Sequence, residues 1–466
     1  MSEGVTSRVL QQLQGHLPTL EQARRIYVGY SGGLDSHVLL HAAAAILGAE
    51  RVAALHINHQ LSEQACAWAE HCGQVCQALG IDVQTHIVDV CQQVSSVENT
   101  AREARYQVFE RILGDGDILL LAHHQNDQAE TVLYRLLRNS GPRGLAGIPF
   151  TRAVGQGSLL RPLLQLPRSE LECYAREYQL NWIDDPSNSD LIHDRNYLRH
   201  QVAPALSQRW PDYAVRIAAS ASLCQQADEL SKDLAEIDLS ELGDQQERLG
   251  RSIELSGLAA LSTLRKANVL RHWASSYCQS PPGYHSIMAV LDSVLSAGKD
   301  RKPLVTWPGG EWRRFKGRLF LLPGGWSEQA PEPCDWQPES PLTLSDGSVL
   351  RATLTKDRGL KLLPGEQLRV KFRSGGERCQ PAGRRGSRSV KKLLQEYQLE
   401  PWLRDRVPLI YKYPADGQKE EQLVAVGDLW LCHDFTVAGG DCVYRLRWDQ
   451  PPQASFEPIV EEAITR

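Results

Sequence analysis

A chain of 466 residues with a formal net charge of −5 and 23% charged residues has the length of about three domains and room for several buried cores. No apolar run approaches the ~18 residues of a membrane helix, and Met1 to Gly4 show no basic segment ahead of an apolar core, so a cytoplasmic protein is expected rather than a membrane-spanning or exported one. Eleven scattered cysteines, with no Cys-x-x-Cys among them, argue against a disulfide framework, a zinc site or an iron–sulfur cluster and read as reduced thiols.

The first strong pattern is Ile26 to Tyr30, which alternates bulky and small groups as a buried strand does. Leu34, Val38, Leu39, Ala42, Ala45 and Ile46 then recur at helical spacing through Leu47. Ser31, Gly32 and Gly33 therefore make a strand-to-helix turn, in which the free N–H groups of the helix start face outward and glycine lets an anion approach the main chain. A polyphosphate fits there, although an ordinary glycine turn with serine as helix cap has the same composition. No Gly-x-x-x-x-Gly-Lys-Ser/Thr occurs, so there is no P-loop lysine. The hexapeptide Ser31-Gly32-Gly33-Leu34-Asp35-Ser36 resembles the signature of the PP-loop ATP pyrophosphatase superfamily. That resemblance implies ATP held by Ser31, Gly32, Gly33, Leu34, Asp35 and Ser36, Mg2+ on Asp35, and transfer of AMP to a substrate oxygen with loss of pyrophosphate.

Residues 51–57 read as a second strand, Leu61 to Leu79 as a helix, Val83 to Val88 as a third strand, Val97 to Leu113 as a helix and Asp117 to Ala122 as a central parallel strand. The alternation predicts an α/β fold with a doubly wound parallel sheet, whose ligands sit beyond the carboxyl ends of the strands, where Ser31, His56 and His123 fall. His123 to Thr131 leads into a helix with a buried stripe expected at Ala129, Val132, Leu133, Leu136 and Leu137. Asp127 and Glu130 share a face near its start, where they can offer carboxylates to a cation or an amine, or simply favour the first turn. His123 and His124 read equally as capping or core histidines. Earlier, Arg102 and Arg105 stand at i, i+3 spacing, and Glu98 with Arg102 can form a surface ion pair. Arg195 and Arg199 share a face of a helix that follows the polar turn Asp184 to Asp190, suited to clamp a phosphate or carboxylate or merely to cover a loop.

Together, Ser31 to Ser36, Asn99 to Tyr106, His123 to Thr131 and Asp184 to Arg199 resemble the tRNA(Ile)-lysidine synthetase family. The resemblance continues through Lys371 to Arg378, Lys391 to Glu396 and Pro401 to Tyr411. It implies an ATP-dependent ligase that joins the ε-amine of L-lysine to the wobble cytidine of a tRNA(Ile) with a CAU anticodon, through an adenylated cytidine. It also implies that Asp127 binds metal or substrate, that Glu130 lies beside the lysine pocket, and that Arg102 or Arg105, together with Arg195, lies near the reacting groups. Asn126 departs from the family, where an aspartate is common, and so does Gln60-Leu61-Ser62, where Gly-Leu-Arg is frequent. The rival readings are another PP-loop enzyme, such as a tRNA thiolase or an amide ligase, and a non-catalytic tRNA-binding protein. The missing Cys-x-x-Cys weighs against the iron–sulfur thiolase, and a basic C-terminal region weighs against a small substrate. The oligomeric state is left open, a homodimer included.

Residues 1–210 are expected to form the catalytic PP-loop domain, 211–326 a helical and mixed domain for substrate and tRNA, and 342–450 a small β-rich basic domain for tRNA. Trp210 to Leu255 reads as a long helical connector, with nine acidic against three basic residues between Asp228 and Glu254. Leu261 to Trp273 reads as an amphipathic helix carrying Arg265, Lys266 and Arg271, Trp307 to Arg318 as a hairpin turn and basic strand, and Ser327 to Pro341 as a linker. From Arg369 to Lys392 stand nine basic residues and one acidic, Glu377, a local charge of +8. That run makes Arg384, Arg385, Arg388, Lys391 and Lys392 candidate contacts to the tRNA backbone, or else a solvated loop around Gly383 to Gly386.

Overall fold

The computed structural model describes residues 7–60, 64–88, 97–185, 190–294, 303–356, 358–362, 365–414, 421–433, 436–437 and 442–450. They belong to two compact units, 1–230 and 231–466. Leu61 and Ser62, Pro186 to Ser189, and the side chains of Glu98 and Asn99 lie outside the described residues.

In the first unit, helices α1 (Arg8–Gln14) and α2 (Leu17–Glu21) precede β1 (Arg25–Gly29), α3 (Leu34–Leu47), β2 (Val52–Asn58), α4 (Ala65–Leu79) and β3 (Asp82–Ile87). Then come α5 (Val97–Ile112), β4 (Asp117–Leu120), α6 (Gln125–Leu137), the short α7 (Pro142–Leu145), the hairpin β5 (Thr151–Val154) and β6 (Gly157–Leu160), and α8 (Arg168–Glu177). The sheet order is β3-β2-β1-β4-β6-β5, parallel throughout except for the edge strand β5. This is the doubly wound α/β arrangement that the alternation predicts. The winding reverses between β1 and β4, so a crevice opens beyond their carboxyl ends.

Both faces of this sheet are covered, which is why β1 and β4 are apolar at nearly every position. Val28, Leu119 and Leu120 are fully buried, as are Val38 and Leu39 of α3, each such side chain contributing roughly 1.5–3 kcal/mol. Asp117 opens β4 with a buried carboxylate that accepts two bonds from Arg24, at 2.9 and 2.7 Å, and one from the Gly114 N–H at 2.9 Å. That anchor fixes where the other end of β4 delivers His123 and His124.

Several expectations are corrected. Ala45 faces solvent on α3. On α6, Leu136 and Leu137 are exposed, at 55% and 77%, and the buried face is instead Gln125, Gln128, Ala129, Glu130, Thr131 and Val132. Its buried stripe is largely polar because α6 starts in the crevice, where the Gln128 amide donates to the Ile148 carbonyl and accepts the Ile148 N–H. Beyond α8 come α9 (Asp194–Tyr197), a π-helical turn over Leu198–Val202, α10 (Ala203–Arg209) and α11 (Tyr213–Glu241). The stretch expected to stay helical to Leu255 stops at Glu241, and Gln245–Gln246 and Arg251–Glu254 are strands.

The second unit is β-rich. Strands Gln245–Gln246, Arg251–Glu254, Leu304–Trp307, Gly310–Phe315 and Arg318–Pro323 form one antiparallel sheet, covered by the helix Thr263–Tyr277 through Val269, Leu270 and Trp273. Two further five-stranded sheets share a core with the helix Val390–Tyr397. The stretch expected as a linker contains the strand Cys334–Trp336, which pairs with Glu366–Lys371 because Trp336 has a core to enter. The cysteines among the described residues are free thiols.

Candidate functional site

The site begins where β1 ends. Gly32 has φ +87°, and a Cβ there would meet Ile183 Cδ1 at 2.9 Å and Cys72 Sγ at 3.0 Å, so only glycine fits this turn without displacement. Its carbonyl accepts the Ile183 N–H at 3.0 Å, tying the loop to the segment after α8. Ser36 Oγ lies 3.1 Å from Ser31 Oγ, donates to the Gly33 carbonyl at 3.0 Å and accepts the Ser31 N–H at 3.2 Å. The two serines thus brace the loop from within. Gly33 caps α3 without a side chain, which leaves the first-turn N–H groups, Leu34 and Asp35 among them, aimed at the crevice for an anion.

Asp35, in the first turn of α3, faces the start of α6. His124 Nε2 stands 3.6 Å from Asp35 Oδ2 and 3.5 Å from Asp127 Oδ2, and the imidazole is fully buried. A capping box sets it: the Asp127 N–H donates to His124 Nδ1 at 3.3 Å, and the His124 N–H donates to Asp127 Oδ2 at 3.0 Å. With Nδ1 accepting, Nε2 carries the proton and points between the two aspartates. Burial pushes the Asp35 carboxyl up, but the His124 hydrogen bond and the charges of His124, Arg168 and Arg199 outweigh it and leave its pKa lowered. Burial likewise opposes charge on His124, and the bond to Asp35 with the charges of Asp127 and Asp35 turns the balance, so its pKa is raised.

Glu130 is 6% exposed, one turn further along α6. Arg199, inside the π-helical turn, donates from Nε to Glu130 Oε1 at 2.8 Å and from Nη2 to Glu130 Oε2 at 2.8 Å and Asp127 Oδ1 at 2.9 Å. Burial works against its charge, yet the bonds and charges of Glu130 and Asp127 raise its pKa further. Asn126, the departure from the family pattern, accepts the Arg168 N–H at 3.0 Å and so holds the start of α8, bringing Arg168 Nε to 3.8 Å from Asp35 Oδ1. Those two atoms are buried and have no hydrogen-bond partner among the described residues.

The remaining expected residues lie around this centre. Arg102 stacks its guanidinium on Tyr106, 5.3 Å from the ring centroid, and Arg105 is exposed on the same helix. His123 is held neutral by burial and then by the charges of Arg161, Arg102 and Arg105, with Arg161 donating to its Nδ1 at 3.2 Å. Arg195, half-buried in α9, lies close enough to Arg135 for burial and the Arg195 charge to lower that pKa. Sequence spacing puts Arg195 and Arg199 on one face, but Arg199 is the one that reaches Asp127 and Glu130. Arg168 is the site residue that spacing did not single out, while His124 was read only as a capping or core histidine and Arg199 only as one of a pair with Arg195. Arg168 had no local signal, because Asn126, 42 residues away in sequence, positions it.

In the second unit, the basic run is less bare than its count suggests. Arg369 pairs with Asp335 at 2.8 Å, Lys371 with Glu421, and Arg373 with Asp405 at 2.7 Å. Arg384 and Arg388 share Glu396, at 2.9 and 2.6 Å. Arg385, Lys391 and Lys392 are exposed, with no acidic partner among the described residues. The run spans the end of the strand Glu366–Lys371, a short hairpin pairing Arg378–Cys379 with Arg388–Ser389, and the first turn of the helix Val390–Tyr397.

An orphaned Asp35 oxygen opposite an orphaned Arg168 N–H is the chemistry expected of a site for a metal bound together with a phosphate. Asp35 therefore fits Mg2+. Asp127, with Oδ1 on Arg199 and Oδ2 on the His124 N–H, has its oxygens engaged. Among the described residues no cluster of three or more His, Cys, Asp or Glu side chains forms a protein-only metal site, and no helix is long and apolar enough to cross a membrane.

A family model described as PP-loop domain matches residues 2–206, TilS substrate binding domain matches 254–320, and TilS substrate C-terminal domain matches 368–448. The tRNA(Ile)-lysidine synthase of Alkalilimnicola ehrlichii is 42% identical over 93% of this chain and 95% of its own length. That of Coxiella burnetii is 38% identical over 95% of this chain and 97% of its own. Among solved structures, the U34-tRNA thiolase of Methanococcus maripaludis is 15% identical, covering 47% of this chain and 78% of its own at a TM-score of 0.39.

Proposed function

This chain belongs to the tRNA(Ile)-lysidine synthase family, and we propose that it joins L-lysine to the wobble cytidine of a tRNA(Ile) with a CAU anticodon, cleaving ATP to AMP and pyrophosphate. The observation that carries this reading is the Ser31 to Ser36 loop: open helix N–H groups beside a carboxylate with an unpartnered oxygen, at the winding reversal of the sheet.

Lysidine forms when an amine attacks a ring carbon that bears a carbonyl oxygen. That oxygen must first become a leaving group, so the base is what ATP activates and lysine is the nucleophile. The loop N–H groups of Leu34 and Asp35 bind the β- and γ-phosphates and stabilise the pyrophosphate as it leaves. The cytidine oxygen takes the AMP group, and the ε-amine then displaces AMP from the ring carbon. Asp35 would hold Mg2+, with Asp127 as a second candidate ligand; the ion offsets phosphate charge when bound. His124 keeps the two aspartates in register, Arg168 adds positive charge beside Asp35, and Glu130 orients or deprotonates the amine. Arg102, Arg105 and Arg195 supply cations for phosphate or for the lysine carboxylate. Arg385, Lys391 and Lys392 are proposed as the stronger tRNA-backbone contacts of the C-terminal region, with Arg384 and Arg388 secondary. The chain is proposed to act in the cytoplasm, where tRNA is found, as a monomer or a homodimer.

The test is tRNA-dependent incorporation of labelled lysine. With lysine omitted, ATP and the cognate tRNA should give pyrophosphate and an RNA-linked AMP; ATP and lysine without tRNA should give neither. Lysyl-adenylate in a tRNA-free reaction would overturn the reading.

A further inference from the structure

The carboxylates suited to receive the lysine amine are already taken. Arg199 occupies both oxygens of Glu130 and Oδ1 of Asp127, and Asp127 Oδ2 is held by the His124 N–H. Each of the four oxygens already accepts a bond, three of them from Arg199, so an incoming ammonium meets a guanidinium where it would meet the carboxylates. The arginine that fills the place comes from a π-helical turn, Leu198–Val202, set between the helices α9 and α10, a rare backbone arrangement that is frequent at functional sites.

We infer that Arg199 is a displaceable stand-in for the substrate cation: its guanidinium blocks the lysine subsite at rest and vacates it when phosphate binds at the adjacent loop. The inference rests on the proposed function and adds an order of events to it. Arg199 lies near enough to Asp35 for its charge to act on that carboxyl, so a triphosphate beside Asp35 gives the guanidinium an alternative anionic partner. Moving Arg199 toward phosphate frees Glu130 and one oxygen of Asp127, and an alkylammonium replaces the guanidinium there. Lysine then enters only a site in which ATP is already bound, which protects the nucleophile's pocket from free cations before activation. The two ligands are thus coupled through one side chain, and coupling of this kind is reciprocal.

Calorimetric titration of the full chain with L-lysine, with and without ATP, tests it. The native chain should bind lysine at least about tenfold more tightly with ATP present, a coupling of the usual size. Arg199→Ala and Arg199→Gln should each bind lysine without ATP at least about tenfold more tightly than the native chain does, and lose most of the ATP dependence. Methylguanidinium should compete with lysine in those variants. Equal lysine affinity with and without ATP in the native chain overturns the inference, as does weaker lysine binding by a folded Arg199 variant. Formation of RNA-linked AMP by the native chain without lysine is read separately; its absence counts against the proposed function and not against the stand-in.

Discussion

Replacing Gly32 with alanine puts a methyl group where the loop has no room for one. The residue sits at φ +87°, and the new Cβ lies 2.9 Å from Ile183 Cδ1 and 3.0 Å from Cys72 Sγ. The left-handed backbone costs about 1–2 kcal/mol and the crowding about 1–3 kcal/mol, while a stiffer unfolded chain returns about 0.4–1 kcal/mol. The net loss is roughly 1–5 kcal/mol, and in a unit of this size each kcal/mol lowers Tm by roughly 2–4 °C. Ile183 can give way, but its N–H bonds the Gly32 carbonyl at 3.0 Å, so the loop shifts with it. A displacement on the order of 1 Å at reacting groups costs about 100-fold in rate. Scanning calorimetry and pyrophosphate release with ATP and cognate tRNA measure the two effects. Ile183→Ala in the same chain removes the 2.9 Å contact and leaves the φ strain, so it should recover part of the Tm and less of the rate. A Gly32→Ala chain with native Tm and native pyrophosphate release would refute the reasoning.

Asp35→Asn should abolish RNA-linked AMP while leaving tRNA affinity nearly intact, measured by filter binding; normal turnover would remove Asp35 from the site. His59, with its Nδ1 buried and unpartnered, is pushed by burial, and then by the charges of Arg105 and His56, from 6.5 to about 4. The unfolded chain therefore protonates this histidine first, and stability is lost as pH falls from 6.5 toward 4, with no further loss below. His59→Gln should flatten the Tm of the first unit across that window, and an unchanged pH profile would show the shift to be absent. Replacing Arg385, Lys391 and Lys392 with alanine should weaken tRNA binding and reduce the slope of log affinity against log salt by roughly 2–3, while Arg384 and Arg388, tied to Glu396, contribute less. Equal effects of the two sets would show that the ion pairs do not hold those arginines back.

The strand, turn and helix from Ile26 to Leu47 could be read from the sequence because each depends on neighbours a few residues away: side-chain period, glycine at the turn, and open N–H groups at a helix start. The same holds for Asp127 and Glu130, whose common face follows from helical spacing alone. Their partner does not. Arg199 bonds them across 69 and 72 residues, and a π-helical turn moves its phase away from that of Arg195, so only the packing of that segment on α6 could choose between the two arginines. Leu136 and Leu137 repeat at helical spacing yet face solvent, because no described residue of the first unit covers them. The charge of +8 between Arg369 and Lys392 is correct as a count, but Asp335, Asp405 and Glu421, distant in sequence and close in space, neutralise part of it. Local geometry determines which groups share a face; which of them meet depends on where the tertiary fold brings remote charges together, and Coulomb attraction falls with distance in space, not along the chain.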